Sequence, residues 1–484
     1  MLVRPEEWRP QGVDDLELRA WDALRETETS VCVTAGAGAG KTEFLAQKAT
    51  YLLQTGFCPD PKRILAISFK RDAAQNLAAR VRQRCPAEQA RRFHSMTFDA
   101  FTKHILDHFR LAIPDARRPP ADYNIAFPSK RDIDDFLQRH GRANVSADRF
   151  EVAVARTALP LEENVANERA RELLQAYWDE QYAMPGGALL SFAMINRLVQ
   201  NLLHANPRIK RALLLTYPYV FLDEFQDTTY AQYNLVKTAF GGSHSVFTAV
   251  GDDKQKIMGW ADAMDNAFEE FTADFDAVHH ALLSNWRSHV ALVAIQHVIA
   301  QRIDPNVEEV EARGELAVDG DTAAIWRFDS REQEATQIAR WIRTEVEGGR
   351  VAPHDVAILV RMRANSVENE LAPALANHGL TLRNLARNVG EIAIQDLLVE
   401  PLTEVILPLL RLGASARDPD AWNTSQERLH ALAGIGPDDE FGQERLQREI
   451  GDLARQLRQT MGDDDPSAAV ADRVFTQALD AVGE

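Results

Sequence analysis

The sequence predicts an α/β fold in which a parallel sheet is covered by helices and interrupted by an inserted helical domain. Three observations carry this reading. The apolar run Val31–Thr34 leads into Ala35-Gly36-Ala37-Gly38-Ala39-Gly40-Lys41-Thr42, and a helical pattern opens at Glu43. Further apolar runs, Ile64–Phe69, Tyr219–Leu222 and Val246–Val250, alternate with helical stretches, as strands of a parallel sheet do. Between about Lys103 and Asn206 the pattern is helical and polar with no β-run.

At 484 residues the chain exceeds one hydrophobic core, and its length suggests about three or four domains. Hydrophobic and charged fractions, 45% and 26%, are those of an ordinary globular protein. No apolar run approaches a membrane span, and Met1–Trp21 carries too many charges for a signal peptide, so a cytoplasmic location without a membrane partner is expected. Cys32, Cys58 and Cys85 are too few for a disulfide framework or a zinc site and read as small apolar fillers. The net charge of −18 speaks against nucleic acid only on average. From Lys62 to His94 the cations Lys62, Arg63, Lys70, Arg71, Arg80, Arg82, Arg84, Arg91 and Arg92 face only Asp72 and Glu88. That stretch suits phosphates; a solvated helix face is the alternative, and only for Arg80, Arg82 and Arg84.

The loop Ala35–Thr42 reads as a phosphate cradle. Small residues let successive backbone N–H groups and a helix N-terminus point at a triphosphate, with Lys41 reaching its outer phosphates and Thr42 its Mg²⁺. Ala35 stands where the consensus has Gly, and a flexible Ala/Gly turn is the plainer alternative. The second motif, Leu222-Asp223-Glu224-Phe225-Gln226-Asp227, delivers two carboxylates from an apolar strand. Beside such a loop, Asp223 would hold Mg²⁺ and Glu224 would orient and deprotonate the attacking water. A charged turn after an edge strand is the alternative here. Val250-Gly251-Asp252-Asp253-Lys254-Gln255 ends a third strand, placing Gln255 to touch the γ-phosphate, and Trp260 follows where an indole stacks on a base.

A second α/β unit is expected after Trp286. Its strands would be Ala323–Trp326 and Asp355–Val360, separated by an amphipathic helix from about Glu332 to Val346. From about Gln395 to Glu484 only helices and acidic turns are read.

With these motifs in order, the chain resembles the UvrD/Rep-type superfamily 1 DNA helicases. Ala35–Thr42 resembles motif I, Ile64–Val81 motif Ia, Phe93–Ser95 motif Ib, Phe221–Thr228 motif II, Val250–Trp260 motif III and Ser284–Ser288 motif IV. Asp355–Arg361 resembles the DNA-facing segment that follows. The resemblance implies P-loop, RecA-like domains that close on ATP and Mg²⁺ and step 3′ to 5′ along single-stranded DNA, or along junctions with a single-stranded tail. It assigns residues 1–102 and 207–285 to the first motor domain and 103–206 to its helical insertion. Residues 286–394 would begin a second, incomplete RecA-like domain, and 395–484 a helical insertion that ends early. Ala35, Gly36, Ala37, Gly38, Ala39, Gly40, Lys41 and Thr42 would bind the nucleotide, Trp286 its adenine, and Thr42 with Asp223 the metal. Lys41, Glu224, Gln255 and Arg287 would carry the chemistry, Arg287 acting from the second domain. Ser68, Phe69, Lys70, His94, Trp260 and Arg361 would meet DNA.

Three departures stand out. Leu16–Trp21 offers no Gln where the family reads adenine, Met258 and Ala261 replace an aromatic residue and an Arg, and no string resembles motifs V and VI. The expectation is therefore an ATP-dependent helicase truncated within its second motor domain. Alternatives are a DNA-binding ATPase switch, or one subunit of a split helicase whose partner chain supplies the missing half.

Overall fold

The computed structural model describes residues 2–461 apart from 115–116, 260–261, 315–319, 390–391, 394–400, 416, 434 and 436–438. Trp260, Ala261 and the acidic turns beyond 461 lie outside the described residues. The chain divides into two compact units that meet in sequence at Ala324 and Ile325.

The first unit enters through α1 (Leu18–Arg25) and continues as β1 (Val31–Ala35), α2 (Lys41–Thr55), β2 (Ile64–Ser68), α3 (Arg71–Arg84), α4 (Ala87–Ala90), β3 (Phe93–Thr97) and α5 (Phe98–Phe109). An insertion follows: β4 (Asn124–Ile125), α6 (Lys130–Arg139), α7 (Ala147–Arg156), α8 (Leu161–Asn164), α9 (Glu168–Tyr182), β5 (Leu189–Leu190), α10 (Phe192–Ala205) and α11 (Pro207–Thr216). The unit closes with β6 (Tyr219–Leu222), α12 (Tyr230–Phe240), β7 (Val246–Gly251), α13 (Ala267–Phe275), β8 (Val278–Leu282), β9 (Ser284–Asn285), α14 (Val290–Ile303) and β10 (Glu311–Ala312).

Six of these strands form one sheet, in the order β3-β2-β6-β7-β1-β8, and every pairing is parallel. Helices cover both faces, so β2, β6 and β7 are buried along their whole length, which is why they read as unbroken apolar runs. Parallel register also brings the carboxyl ends of all six strands to one rim. Thr34 pairs with Gly251 and Ser68 with Thr97, so the loops that follow these strands open side by side.

The insertion is helical, as its pattern predicts, except that β4 and β5 form a two-residue parallel pair that no β-run announced. Its core is aromatic, with Phe136, Phe150 and Tyr177 in mutual ring contact. From α7, Arg156 reaches the carboxylate of Asp262 and stacks over Tyr230 at 4.3 Å, tying the insertion to the segment after β7.

The second unit holds α15 (Arg331–Glu347), α16 (Ala364–Asn377), a hairpin of β11 (Asn388–Val389) and β12 (Ile392–Ala393), then α17 (Pro401–Ala414), α18 (Pro419–Ala433) and α19 (Glu440–Met461). Among the described residues the expected strands Ala323–Trp326 and Asp355–Val360 form no ladder, and Asp355 instead ends a 3-10 turn that starts at Pro353. Val356 and Ile358 pack on the α15/α16 core, but Ile325 and Leu359 are 91% and 93% exposed, so the pattern has a half-buried face and, among the described residues, no paired neighbour. Among the described residues no helix is long and apolar enough to cross a membrane.

Candidate nucleotide site and nucleic-acid face

The glycine loop turns between β1 and α2 because two of its residues take left-handed backbone. Gly38 and Gly40 have φ of +80° and +83°, a region that a side chain makes costly. Ala35 is different: it is the last residue of β1, buried and paired with Leu282 in ordinary extended conformation. A Cβ is tolerated there, so the departure from consensus changes nothing in the turn. Helix α2 starts at Lys41, aiming its unpaired first-turn N–H groups into the loop, with Thr42 half-buried beside them. The Lys41 ammonium folds back to the Ala35 carbonyl at 3.4 Å.

Asn285 locks this loop from the far end of the unit. Its Nδ2 donates to Ala37 O at 2.8 Å, and its Oδ1 accepts from Arg287 and Ser288 N–H at 3.0 and 2.9 Å. The Trp286 N–H donates to Gly38 O at 2.9 Å. Trp286 is thereby held against the loop with half of its surface open, as an indole that receives a base must be. Arg287 is exposed beside it, within the first compact unit rather than acting from the second. The physical reason is the β9–β10 pairing, which keeps the chain on the first unit past residue 285. Glu17, in the stretch that lacks a Gln, accepts from Leu283 and Ser284 N–H at 3.0 and 2.7 Å, just ahead of this clamp.

Across the rim, Asp223 follows β6 and extends its ladder through a bond to Ile67 O at 2.9 Å. Its carboxyl is pushed up to about 6, by burial first and then by the Glu224 charge, while Lys41 pulls the other way. Glu224 has a φ of +50°, a strain of about 1–3 kcal/mol that functional sites commonly retain. Its carboxylate accepts from Gln226 Nε2 at 2.9 Å, Gln226 Oε1 accepts from Asp252 N–H at 3.1 Å, and Asp252 Oδ2 accepts from Gln255 Nε2 at 2.7 Å. A hydrogen-bonded chain thus joins Glu224 to Gln255. Asp227 accepts from Ile257 and Met258 N–H at 3.1 and 3.2 Å and positions the loop after β7.

The donor set fits a magnesium nucleotide. A nearly buried carboxylate, a half-buried hydroxyl at a helix start and a cradle in which a Gly38 Cβ would stand 2.5 Å from Asn285 Oδ1 lie on one rim. A cavity of about 440 Å³ opens beside them, between Gly36, Ala37, Asp252 and Gln255 on one side and Val293 and Gln296 of α14 on the other.

Sequence reasoning missed Gln226, Asp227, Asp252, Asn285 and Glu17 as positioning groups. The first two stand within Phe221–Thr228 as quoted, whereas the roles of Asn285 and Glu17 depend on partners distant in sequence.

The residues assigned to DNA divide. Lys70 is exposed and Phe69 half-buried in the bend between β2 and α3, at the rim. Ser68 is fully buried, and its hydroxyl has no hydrogen-bond partner among the described residues. His94 is not at the rim. It pairs with Leu65, so it is the second residue of β3, and its ring lies between Tyr217 OH at 3.0 Å and Arg63 Nη1 at 3.1 Å. The guanidinium only donates, so Nε2 accepts and Nδ1–H donates to Tyr217. At the carboxyl end of β3 stands Thr97, which caps α5 by accepting from Ala100 N–H, followed by Asp99, pushed up to about 6 by burial against the opposing pull of Arg71. Arg361 belongs to the second unit. The basic stretch divides too: Arg80 and Arg84 pair with Glu43 at 2.6 and 2.8 Å, and Arg92 donates to Cys58 O at 2.9 Å, so these three cations are engaged with the protein itself.

Comparison with known proteins accords with this geometry. The profile of the UvrD/REP helicase N-terminal domain matches residues 16–276. Similar relatives include the ATP-dependent DNA helicase PcrA of Leuconostoc citreum, 27% identical over 73% of this chain and 48% of the relative. A probable DNA helicase of Mycoplasma pneumoniae is 28% identical over 56% of this chain and 53% of its own length. The ATP-dependent DNA helicase PcrA of Staphylococcus aureus is 25% identical over 86% of this chain and 56% of its own. The chain therefore spans about half the length of the relatives it matches.

Proposed function

The chain belongs to the UvrD/REP helicase family, and from that premise we propose that it is an ATP-dependent DNA helicase or translocase, coupling ATP hydrolysis to 3′–5′ movement on single-stranded DNA. The observation that carries the reading is the chain of hydrogen bonds Glu224–Gln226–Asp252–Gln255, which links the candidate base to the candidate γ-phosphate sensor across two strand ends.

In this reading the loop amides and Lys41 receive the β- and γ-phosphates, and Trp286 stacks on the base. Mg²⁺, held by Thr42 and Asp223, would neutralise developing phosphate charge. Glu224 accepts the proton of the attacking water, its carboxylate aimed by Gln226. Gln255 reports the γ-phosphate through Asp252, and exposed Arg287 stands beside the loop as a cation for the charge that develops on phosphoryl transfer. Lys70 and Phe69, at the strand-end rim, meet a phosphate and a base of the single strand. Stacking and backbone contacts carry no sequence preference.

The deciding experiment is steady-state ATP hydrolysis by the 484-residue chain with and without single-stranded DNA, alongside strand displacement on a tailed duplex. DNA-stimulated turnover with displacement supports the proposal. Stimulated turnover without displacement favours an ATPase switch, and nucleotide binding with no turnover at all overturns the assignment of a motor to this chain.

A further inference from the structure

Two arginines of the helical insertion converge on the start of α12. From α7, Arg156 donates through Nε to Asp262 Oδ2 at 2.7 Å and through Nη2 to Asp262 Oδ1. Its guanidinium lies 4.3 Å over the ring of Tyr230, the first residue of α12. From α10, the buried Arg197 donates through Nη2 to Ala231 O at 3.0 Å. Both land just after Asp227, the side chain that accepts from Ile257 and Met258 N–H. The insertion therefore grips the motor domain where the stretches following β6 and β7 meet.

Those two stretches are laced together. Thr229 forms a bridge with Ala263, Met264 N–H donates to Thr228 O at 2.9 Å, and Tyr230 N–H donates to Asp262 O at 3.4 Å. Asp262 has a φ of +68° although it is not glycine, a left-handed backbone that surrounding contacts must hold in place. Arg156 supplies two of those contacts. A bidentate guanidinium–carboxylate pair fixes direction as well as distance, and the stacking on Tyr230 fixes the guanidinium plane. The chain that Arg156 pins at Asp262 runs back to Gln255, whose amide bonds Asp252 in the series leading to Glu224. On the other side, α10 packs against α5, α7 and α12, and α5 starts beside Thr97, the β3 residue paired with Ser68 at the rim. Packed helices thus run from the rim to Arg156.

Resting on the reading of this chain as a DNA-dependent ATPase, we propose that Arg156 is a positioning residue that couples single-stranded DNA at the rim to ATP turnover. Its pairing with Asp262 holds the segment after β7 against the insertion, so that a shift of the insertion on DNA is felt at Gln255. The paired side chains are 45% and 21% exposed, and an ion pair so open to water adds little to stability. Its loss is therefore expected to appear in coupling rather than in folding.

The test compares the full chain with two variants. Arg156→Gln removes the charge, and Asp262→Gly removes the carboxylate while suiting the positive φ. Each should lower the ratio of ATP turnover with oligo-dT to turnover without it by about fivefold or more, while DNA-free turnover stays within about twofold of the parent. The double variant should lose no more than either single one, because both changes delete the same contact. Hydrogen exchange of the unliganded proteins should be faster at the Ala263 and Met264 amides in both variants. Undiminished stimulation overturns the proposal, as do losses that multiply in the double variant or DNA-free turnover that falls in step with the stimulated rate. Parent turnover that ignores DNA removes the motor reading instead, and the role of Arg156 is then decided by exchange, where unaltered amides overturn it.

Discussion

Gln226 bridges two strand ends, donating from Nε2 to the Glu224 carboxylate at 2.9 Å while its Oε1 accepts the backbone N–H of Asp252 at 3.1 Å. The fit is tight, since a Cβ on Gly251 would stand 2.2 Å from that same Oε1. Gln226 is thus a positioning residue for Glu224. Gln226→Ala is expected to lower kcat for ATP by about tenfold to a hundredfold, with KM little changed. Steady-state kinetics checks this, and a rise in KM alone would place Gln226 in ground-state binding instead.

Glu224 is the candidate general base at the end of this bridge. Glu224→Gln keeps the shape and removes the basicity, so ATP binding should persist while turnover falls by about 10²–10⁴-fold. Equilibrium nucleotide binding and hydrolysis measured on one preparation separate the two, and undiminished hydrolysis would remove Glu224 from the role.

Gly38 is constrained twice, by a φ of +80° and by Asn285 Oδ1 lying 2.5 Å from where its Cβ would stand. Gly38→Ala should therefore push the Asn285 clamp off the loop and weaken ATP binding by about tenfold or more. A nucleotide titration decides it, with unchanged affinity meaning that the clamp does not shape the loop.

Lys70 and Arg84 belong to one basic stretch but have different surroundings. Lys70 is exposed at the rim, whereas Arg84 pairs with Glu43 and donates to Gln11 O and Arg80 O. Lys70→Ala should reduce the slope of log affinity against log salt for single-stranded DNA by about one unit, and Arg84→Ala should leave it unchanged. Equal slopes for both variants would mean that Lys70 meets no phosphate.

Lys48 is fully buried in α2, and its ammonium nitrogen donates to Ala23 O at 2.8 Å, in the last turn of α1. Burial pulls its pKa down from 10.5 to about 7, with Glu26 opposing. Between those two values the unfolded chain holds a proton that the folded chain has released, so this group makes stability rise with pH across that window. Below it the full cost of burying the charge applies, and above it the contribution levels off. Urea midpoints should rise from pH 7 toward pH 10 in the parent relative to Lys48→Met. Parallel curves for the two proteins would show that Lys48 does not titrate in this range.

Much of the fold was legible because parallel strands buried on both faces must be continuous apolar runs, and Tyr219–Leu222 and Val246–Gly251 are such runs. The turn of the glycine loop and the strand-end position of Asp223 and Glu224 were equally legible, since both are written in adjacent residues. The place of His94 was not legible, for the opposite reason. A short polar string gives no register, and only pairing with β2 puts Thr97, not His94, at the rim. Ile325 and Leu359 misled in another way, because alternation predicts a buried face but not the neighbouring strand that makes a ladder.

The sequence by itself determined the local chemistry: a backbone that must turn at Gly38 and Gly40, two carboxylates at a strand end, and strands that demand cover on both faces. Tertiary structure alone decided which of these groups meet. Asn285 reaches Ala37 across 248 positions, and Arg80 and Arg84 are paired with Glu43 on another helix. Propensity and turn geometry act over a few neighbouring residues, whereas hydrogen bonds and ion pairs between distant segments exist only after the sheet has fixed its strand order.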